Sequence, residues 1–225
     1  MEFGDRWATL TPRIGPTPGI FNVYDDSWVY QGALTSADMS GDGGVCTFPN
    51  YYYHTGYIGA PPLYIYQSDY SNVLLATYGP IAYVRNYEDF SVDETNMVVY
   101  RVDNDYIDKT DLLTGGRITF QNYTAGGSFN GVFFDGKFVW GISRGMFRKM
   151  DANLITLATG TFTPEPLTEM LDAYKYGGYW YIGAYRSGFY VYKCTKDSNN
   201  FPSAVVAKYG PIVGYGRLGR LDNPL

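Results

Sequence analysis

Three short patterns occur twice along this chain. Tyr181-Ile-Gly-Ala184 recurs as Tyr57-Ile-Gly-Ala60, and Phe189-Tyr-Val-Tyr192 recurs as Leu63-Tyr-Ile-Tyr66. Ala207-Lys-Tyr-Gly-Pro-Ile212 recurs as Ala76-Thr-Tyr-Gly-Pro-Ile81. Three matches in one order make a repeated unit. Its Tyr, Ile and Val suit a pleated, half-buried surface, and residues 179–192 read as two strands joined by a tight turn. The repeat is a β unit.

Spacing sizes that unit. The Tyr-Gly-Pro segments begin at Ala76 and Ala207; three steps between them make each unit about 44 residues. The strand signals fit four strands per unit. A first unit runs from Ile20-Phe-Asn-Val-Tyr24 through a turn at Asp25-Asp-Ser27 and closes at Val45-Cys-Thr-Phe48. A second spans 51–78, with Pro61-Pro62 as a rigid connection. A third starts at Ile81-Ala-Tyr-Val84, and its acidic stretches Glu88-Asp89, Asp93-Glu94 and Asp103-Asn-Asp105 read as connections. The fourth turns at Asp135-Gly136, a strong hairpin signal, and the fifth copies it with Gly177-Gly178. Residues 164–172 read as a connection between the last two units.

Bulk properties narrow the class. Of 225 residues, 24 are Tyr and 27 are Gly, which favours many short strands joined by turns. The net charge of -5, with 17% charged residues, gives no basic footprint for nucleic acid. Cys46 and Cys194 are too few for a disulfide framework and read as buried thiols. The N-terminus lacks the basic-then-apolar pattern of a secretory signal. No apolar run is long enough for a spanning helix.

Four-stranded units of this length are similar to β-propeller blades. The resemblance covers roughly residues 20–211 and rests on the hairpins Asp135-Gly-Lys-Phe-Val-Trp140 and Gly177-Gly-Tyr-Trp-Tyr181. It identifies no named propeller family, since a Trp-Asp dipeptide, a kelch pattern and a sialidase box are all missing. The expected fold is all-β: one small propeller of about five blades, with a β-sandwich as the alternative. The expected divisions are an arm at 1–19, the propeller at 20–213 and a C-terminal extension at 214–225. Trp7-Ala-Thr-Leu10 is the expected closing strand, set beside Ala204-Val-Val-Ala207 in the last blade.

Few residues point to chemistry. His54 is the single histidine, placed by the sequence in a turn, which excludes a His-rich metal site and leaves a Ser-His-Asp triad only if His54 is the base. No phosphate-binding loop or nucleophile elbow is present. Asp103, Asp105, Asp108 and Asp111 alternate as calcium ligands do, but the mid-loop Gly and terminal Glu of a calcium loop are missing; the acidic, solvated loop is the better reading. Asp38-Met-Ser-Gly-Asp42 is weaker still. No metal, cofactor or catalytic set is expected, and the chain is not expected to be an enzyme.

Candidate binding residues are Tyr51, Tyr52, Tyr53 and His54 at a unit boundary, with Arg144 and Arg186 in equivalent turns of units four and five. The two arginines are expected to bond turn carbonyls. Tyr215, Arg217 and Arg220 are expected to form a partner-binding tail. In composition the chain resembles the small Gly- and Tyr-rich all-β virion proteins of tailed bacteriophages. That resemblance implies a hub, nozzle, adaptor or decoration role, a place in the virion after synthesis in the host cytoplasm, and multi-copy contacts with itself and other virion proteins. No membrane insertion is expected. The alternative is a lectin-like propeller or host-glycan-binding adhesin.

Overall fold

The computed structural model describes residues 6–11, 19–36, 45–48, 50–55, 63–71, 73–81, 89–103, 106–123, 129–166, 169–213 and 217–220. All regular structure among them is strand. In chain order these are β1 (Arg6–Thr11), β2 (Gly19–Asp25), β3 (Tyr30–Ser36), β4 (Val45–Thr47), β5 (Tyr51–Thr55), β6 (Leu63–Asp69) and β7 (Leu74–Ile81). There follow β8 (Asp89–Asp93), β9 (Val98–Asp103), β10 (Tyr106–Asp111), β11 (Arg117–Asn122), β12 (Phe129–Phe134), β13 (Val139–Ser143), β14 (Met146–Met150) and β15 (Thr156–Thr161). The last are β16 (Glu169–Tyr176), β17 (Tyr179–Tyr185), β18 (Phe189–Lys196), β19 (Pro202–Ile212) and β20 (Arg217–Arg220).

They form five four-stranded antiparallel sheets, ordered β20-β1-β2-β3, β4-β5-β6-β7, β8-β9-β10-β11, β12-β13-β14-β15 and β16-β17-β18-β19. The first strands of the five sheets touch in cyclic order, β20 to β4, β8, β12, β16 and back to β20. The fold is a five-bladed propeller with those strands around its axis. Val132 N–H and Phe134 N–H of β12 bond Asp89 and Ser91 of β8, so equal steps along both strands show them running parallel.

The fourth and fifth blades fall where the sequence suggests, but the boundary between the first and second lies one strand earlier. Val45–Thr47 opens the second blade instead of ending the first. The acidic stretch at 89–93, expected as a connection, is the innermost strand of the third blade and is buried throughout. Its carboxylates are retained because they find backbone donors. The expected strands at 82–84 and 56–58 lie outside the described residues.

Closure also differs. β1 does close the ring, but in the first blade, where Trp7 pairs with Tyr24 on one side and Arg220 on the other. It does not join Ala204–Ala207, whose strand β19 is the outer edge of the last blade. Residues 217–220 therefore belong to the ring, and only 214–216 and 221–225 of the expected extension are left outside the description. Both chain ends build one blade, which ties the first and last strands together and leaves no open seam.

The core lies between blades. Second strands such as β13 and β17 are buried on both faces because blades stack on each side of them. Trp7 fills the closing junction, 4.2 Å from Tyr181 of the fifth blade and 5.2 Å from Trp28 of the first, measured between ring centroids. Gly141 must lack a side chain, since a Cβ there would meet Phe129 at 2.7 Å and Ile107 at 2.9 Å.

One turn recurs in all five blades, between the third and fourth strands. It begins at Asp25, Asp69, Asp111, Asp151 and Asp197. Asp25, Asp69, Asp151 and Asp197 each accept, through Oδ1, the N–H groups two and four residues ahead. Asp111 holds Thr114 N–H in a turn one residue longer. A short carboxylate that bonds its own chain ahead is what such a turn needs. Among the described residues, four of the turns include a left-handed residue: Trp28, Gly115, Leu154 and Asn200.

Candidate functional site

Alternating strand directions give the ring two faces. One bears the turns from first to second and third to fourth strands. The other bears the second-to-third turns and the connections between blades.

Along the axis, the innermost strands would expose backbone donors. Asp89 Oδ2 accepts Val132 N–H at 3.0 Å, Ser91 Oγ accepts Phe134 N–H at 3.1 Å, and Asp172 Oδ2 accepts Leu218 N–H at 2.8 Å. These side chains stitch the third blade to the fourth and the fifth to the first. The cavity that they line on the axis, with Cys46, Phe133 and Tyr174, holds about 40 Å³. That is room for about three waters, and too little for a sugar ring. Burial pushes the thiols of Cys46 and Cys194 up to about 12, so at neutral pH neither is a nucleophile.

The sequence-predicted tyrosines split by strand alternation. Tyr51 and Tyr53 of β5 both donate to the Glu94 carboxylate of the third blade, Tyr51 at 2.9 and 3.0 Å and Tyr53 at 2.6 Å. Burial first, then donation to Glu94, pushes the Tyr51 phenol up to about 12, and the Tyr53 phenol rises for the same reasons. Tyr52 is buried. His54 is no loop residue: it is 2% exposed, bonded to Ser68 Oγ at 3.2 Å, tilted against Tyr52 at 5.2 Å and stacked on Tyr66 at 5.5 Å. A strand continuing through Thr55 buries it. Of the four, only Tyr51 is half-buried; the other three are core.

Arg144 and Arg186 do occupy equivalent turns, between second and third strands. Their partners are carboxylates, not the expected carbonyls. Arg144 Nη2 lies 2.7 Å from Glu169 Oε1, and Arg186 Nη1 lies 3.8 Å from Glu165 Oε2, which also accepts Lys208 Nζ through Oε1 at 2.9 Å. Both carboxylates belong to the passage from the fourth blade to the fifth. Arg144 remains 75% exposed, so its pair contributes about 1 kcal/mol at most.

The predicted tail residues do not cluster as a free arm. Arg217 and Arg220 lie in β20, opposite Leu10 and Trp7; Tyr215 lies outside the described residues. The acidic run also separates. Asp108 is buried and bound by Arg101 through Nε at 2.7 Å and Nη2 at 2.5 Å, while Asp111 holds its own turn. Asp105 and residues 38–42 lie outside the described residues, as does the side chain of Asp103. No group of three or more His, Cys, Asp or Glu is placed to hold a metal among the described residues.

Sequence reading missed two sets. The first is the five turn aspartates, detectable as Asp recurring every 40–46 residues. The second is a row of lysines alternating with aromatic rings in the fourth and fifth blades. Its signal was a lysine followed directly by an aromatic residue, with a tryptophan shortly after, in Lys137-Phe-Val-Trp140 and Lys175-Tyr-Gly-Gly-Tyr-Trp180.

No protein-family model matches the chain, and no curated protein matches it in sequence. Among solved structures, a chain in "Crystal Structure of Mitotic Checkpoint Complex" is similar, with TM-score 0.50 and 7% identity. The match covers 84% of this chain and 60% of that one. The likeness is one of fold alone.

Proposed function

We propose that this protein is a non-catalytic assembly protein of a virion, a hub, adaptor or decoration subunit working through protein–protein contacts at its rim. The observation that carries this reading is on the outer strands. β7, β11, β15 and β19 pair on one side only, and each exposes an apolar residue just before a small or short half-buried one. These are Leu75, Ile118, Leu157 and Val206, 51%, 53%, 52% and 53% exposed. Unpaired edges carrying apolar side chains favour association with other chains. Leu74, Phe120, Ile155 and Val205 widen the same apolar bands.

The test compares the wild-type chain with a variant carrying Leu75→Lys, Ile118→Lys, Leu157→Lys and Val206→Lys, by light scattering and by sedimentation with particles from producing cells. The exposed positions tolerate the change, so the variant should fold normally yet stay monomeric and sediment free. A wild-type chain that is monomeric at every concentration and absent from particles overturns the reading.

A further inference from the structure

The turn face of the fourth and fifth blades is basic in an acidic chain. Lys137, Lys149, Lys175, Lys193 and Lys196 lie there among aromatic rings. Lys149 Nζ is 4.1 Å from the Phe138 centroid, Lys175 Nζ is 3.7 Å from Trp140 and 4.6 Å from Trp180, and Lys193 Nζ is 4.2 Å from Tyr179. Ring faces attract ammonium groups and hold them in place. Three aspartates accompany them. Asp135 is committed to Lys175 Nζ and Trp140 Nε1, both at 2.7 Å, and Asp151 and Asp197 hold their own turns through Oδ1. Burial pulls the Lys175 ammonium below its ordinary pKa, Asp135 opposes this, and the like charges of Lys149 and Lys196 add to the fall. Five lysines against three aspartates leave positive charge in excess on this face.

Beside this row is a hollow of about 190 Å³. Lys175 and Lys196 supply its charge, the Gly177-Gly178 turn leaves its wall low, and Tyr179 and Asn200 complete its rim. Both glycines have positive φ, and a Cβ on either would meet nothing within 4 Å. A hollow that combines ammonium groups, an aromatic ring and an amide matches a small ring compound bearing an anion. It lies on the opposite face from Arg144 and Arg186.

We infer that this hollow binds an acidic sugar, a hexose ring carrying a carboxylate or a phosphate. The anion sits between Lys175 and Lys196, and the ring packs against Tyr179. Binding relieves the repulsion among the lysines, so affinity falls with added salt. This site is independent of the rim contacts and would equip an assembly protein to touch glycans.

Glucuronic acid, glucose 6-phosphate, glucose and inorganic phosphate are titrated into the labelled full chain, following the amide signals of Gly177 and Gly178. At least one of the two acids should shift them, more strongly than either glucose or phosphate, and the stronger acid identifies the anion. Lys196→Gln should weaken that binding about tenfold, the loss of one charge-assisted contact; Arg144→Gln on the other face should leave it unchanged. Lys196 is exposed, so its variant folds. The proposal is overturned by any of three results: neither acid binds, glucose or phosphate binds as well as the acids, or Lys196→Gln binds like wild type.

Discussion

Asp172 accepts the backbone N–H of Leu218 at 2.8 Å across 46 residues of sequence. This bond joins the innermost strand of the last blade to the strand with which the C-terminus completes the first. Asp172 Oδ1 also accepts Ala173 N–H at 2.7 Å, and Leu218 is buried in the same core cluster as Trp7. Ring closure thus depends on residues from both chain ends and from the fifth blade.

A chain ending at residue 213 should lose the cooperative fold. It forfeits the β20–β1 ladder, at about 1 kcal/mol per bond, and the burial of Leu218, at about 2 kcal/mol. The sum is a large part of the usual total of about 5–15 kcal/mol. Asp172→Ala should cost about 1–3 kcal/mol by leaving Leu218 and Ala173 donors unsatisfied. Thermal melts by circular dichroism check both; a truncated chain melting with the full one would show that β20 contributes nothing.

Trp7→Ala should destabilise by about 3–5 kcal/mol, because nothing else fills the space between Tyr181 and Trp28. Trp7→Phe should recover much of that. Urea unfolding midpoints provide the comparison, and equal midpoints for Trp7→Ala and wild type would contradict the closing role.

Asp25→Ala and Asp151→Ala each remove a carboxylate that satisfies two turn amides. Each should cost about 1 kcal/mol, and the double variant should show the sum, since the turns are in separate blades. Asn200→Gly should change stability by less than about 1 kcal/mol, since Asn200 at φ 67 already tolerates the left-handed region and the added glycine frees the unfolded chain. Denaturant melts decide all four.

Alkaline pH should weaken the fold in a defined window. The thiols of Cys46 and Cys194 rise from 9.0 to about 12, and the Tyr51 phenol from 10.0 to about 12. In each case folding favours the neutral form, so the stabilisation is complete below pH 9 and is lost as pH climbs toward 12. A chromogenic thiol reagent at pH 8 should find both cysteines only after denaturation. In Glu94→Gln, ultraviolet titration should place the Tyr51 ionisation closer to 10.

Much of this architecture was legible. The Tyr-Gly-Pro repeat and the Asp135-Gly136 and Gly177-Gly178 hairpins marked strands, unit length and blade number. These are local preferences, settled within a few residues. The phase was legible in the fourth and fifth blades, where the hairpin turns are strong, but not in the first three, because a meander looks alike whichever strand is nearest the axis. Asp89 and Asp93 read as loop residues because charge usually marks solvent. His54 read likewise, since no local signal shows that β5 continues through it into the core. Arg144 and Arg186 were found as an equivalent pair, but their glutamate partners depend on how the next blade packs. The lysine row required two blades to be placed side by side.

Side-chain alternation and turn chemistry act over short distances, and they are enough to specify about five four-stranded β units. Which strand closes the ring, which tyrosines are buried and which charges meet follow from how the blades pack. Those outcomes depend on contacts between residues as distant as Trp7 and Arg220, formed only when the whole ring has paid the entropy of closing.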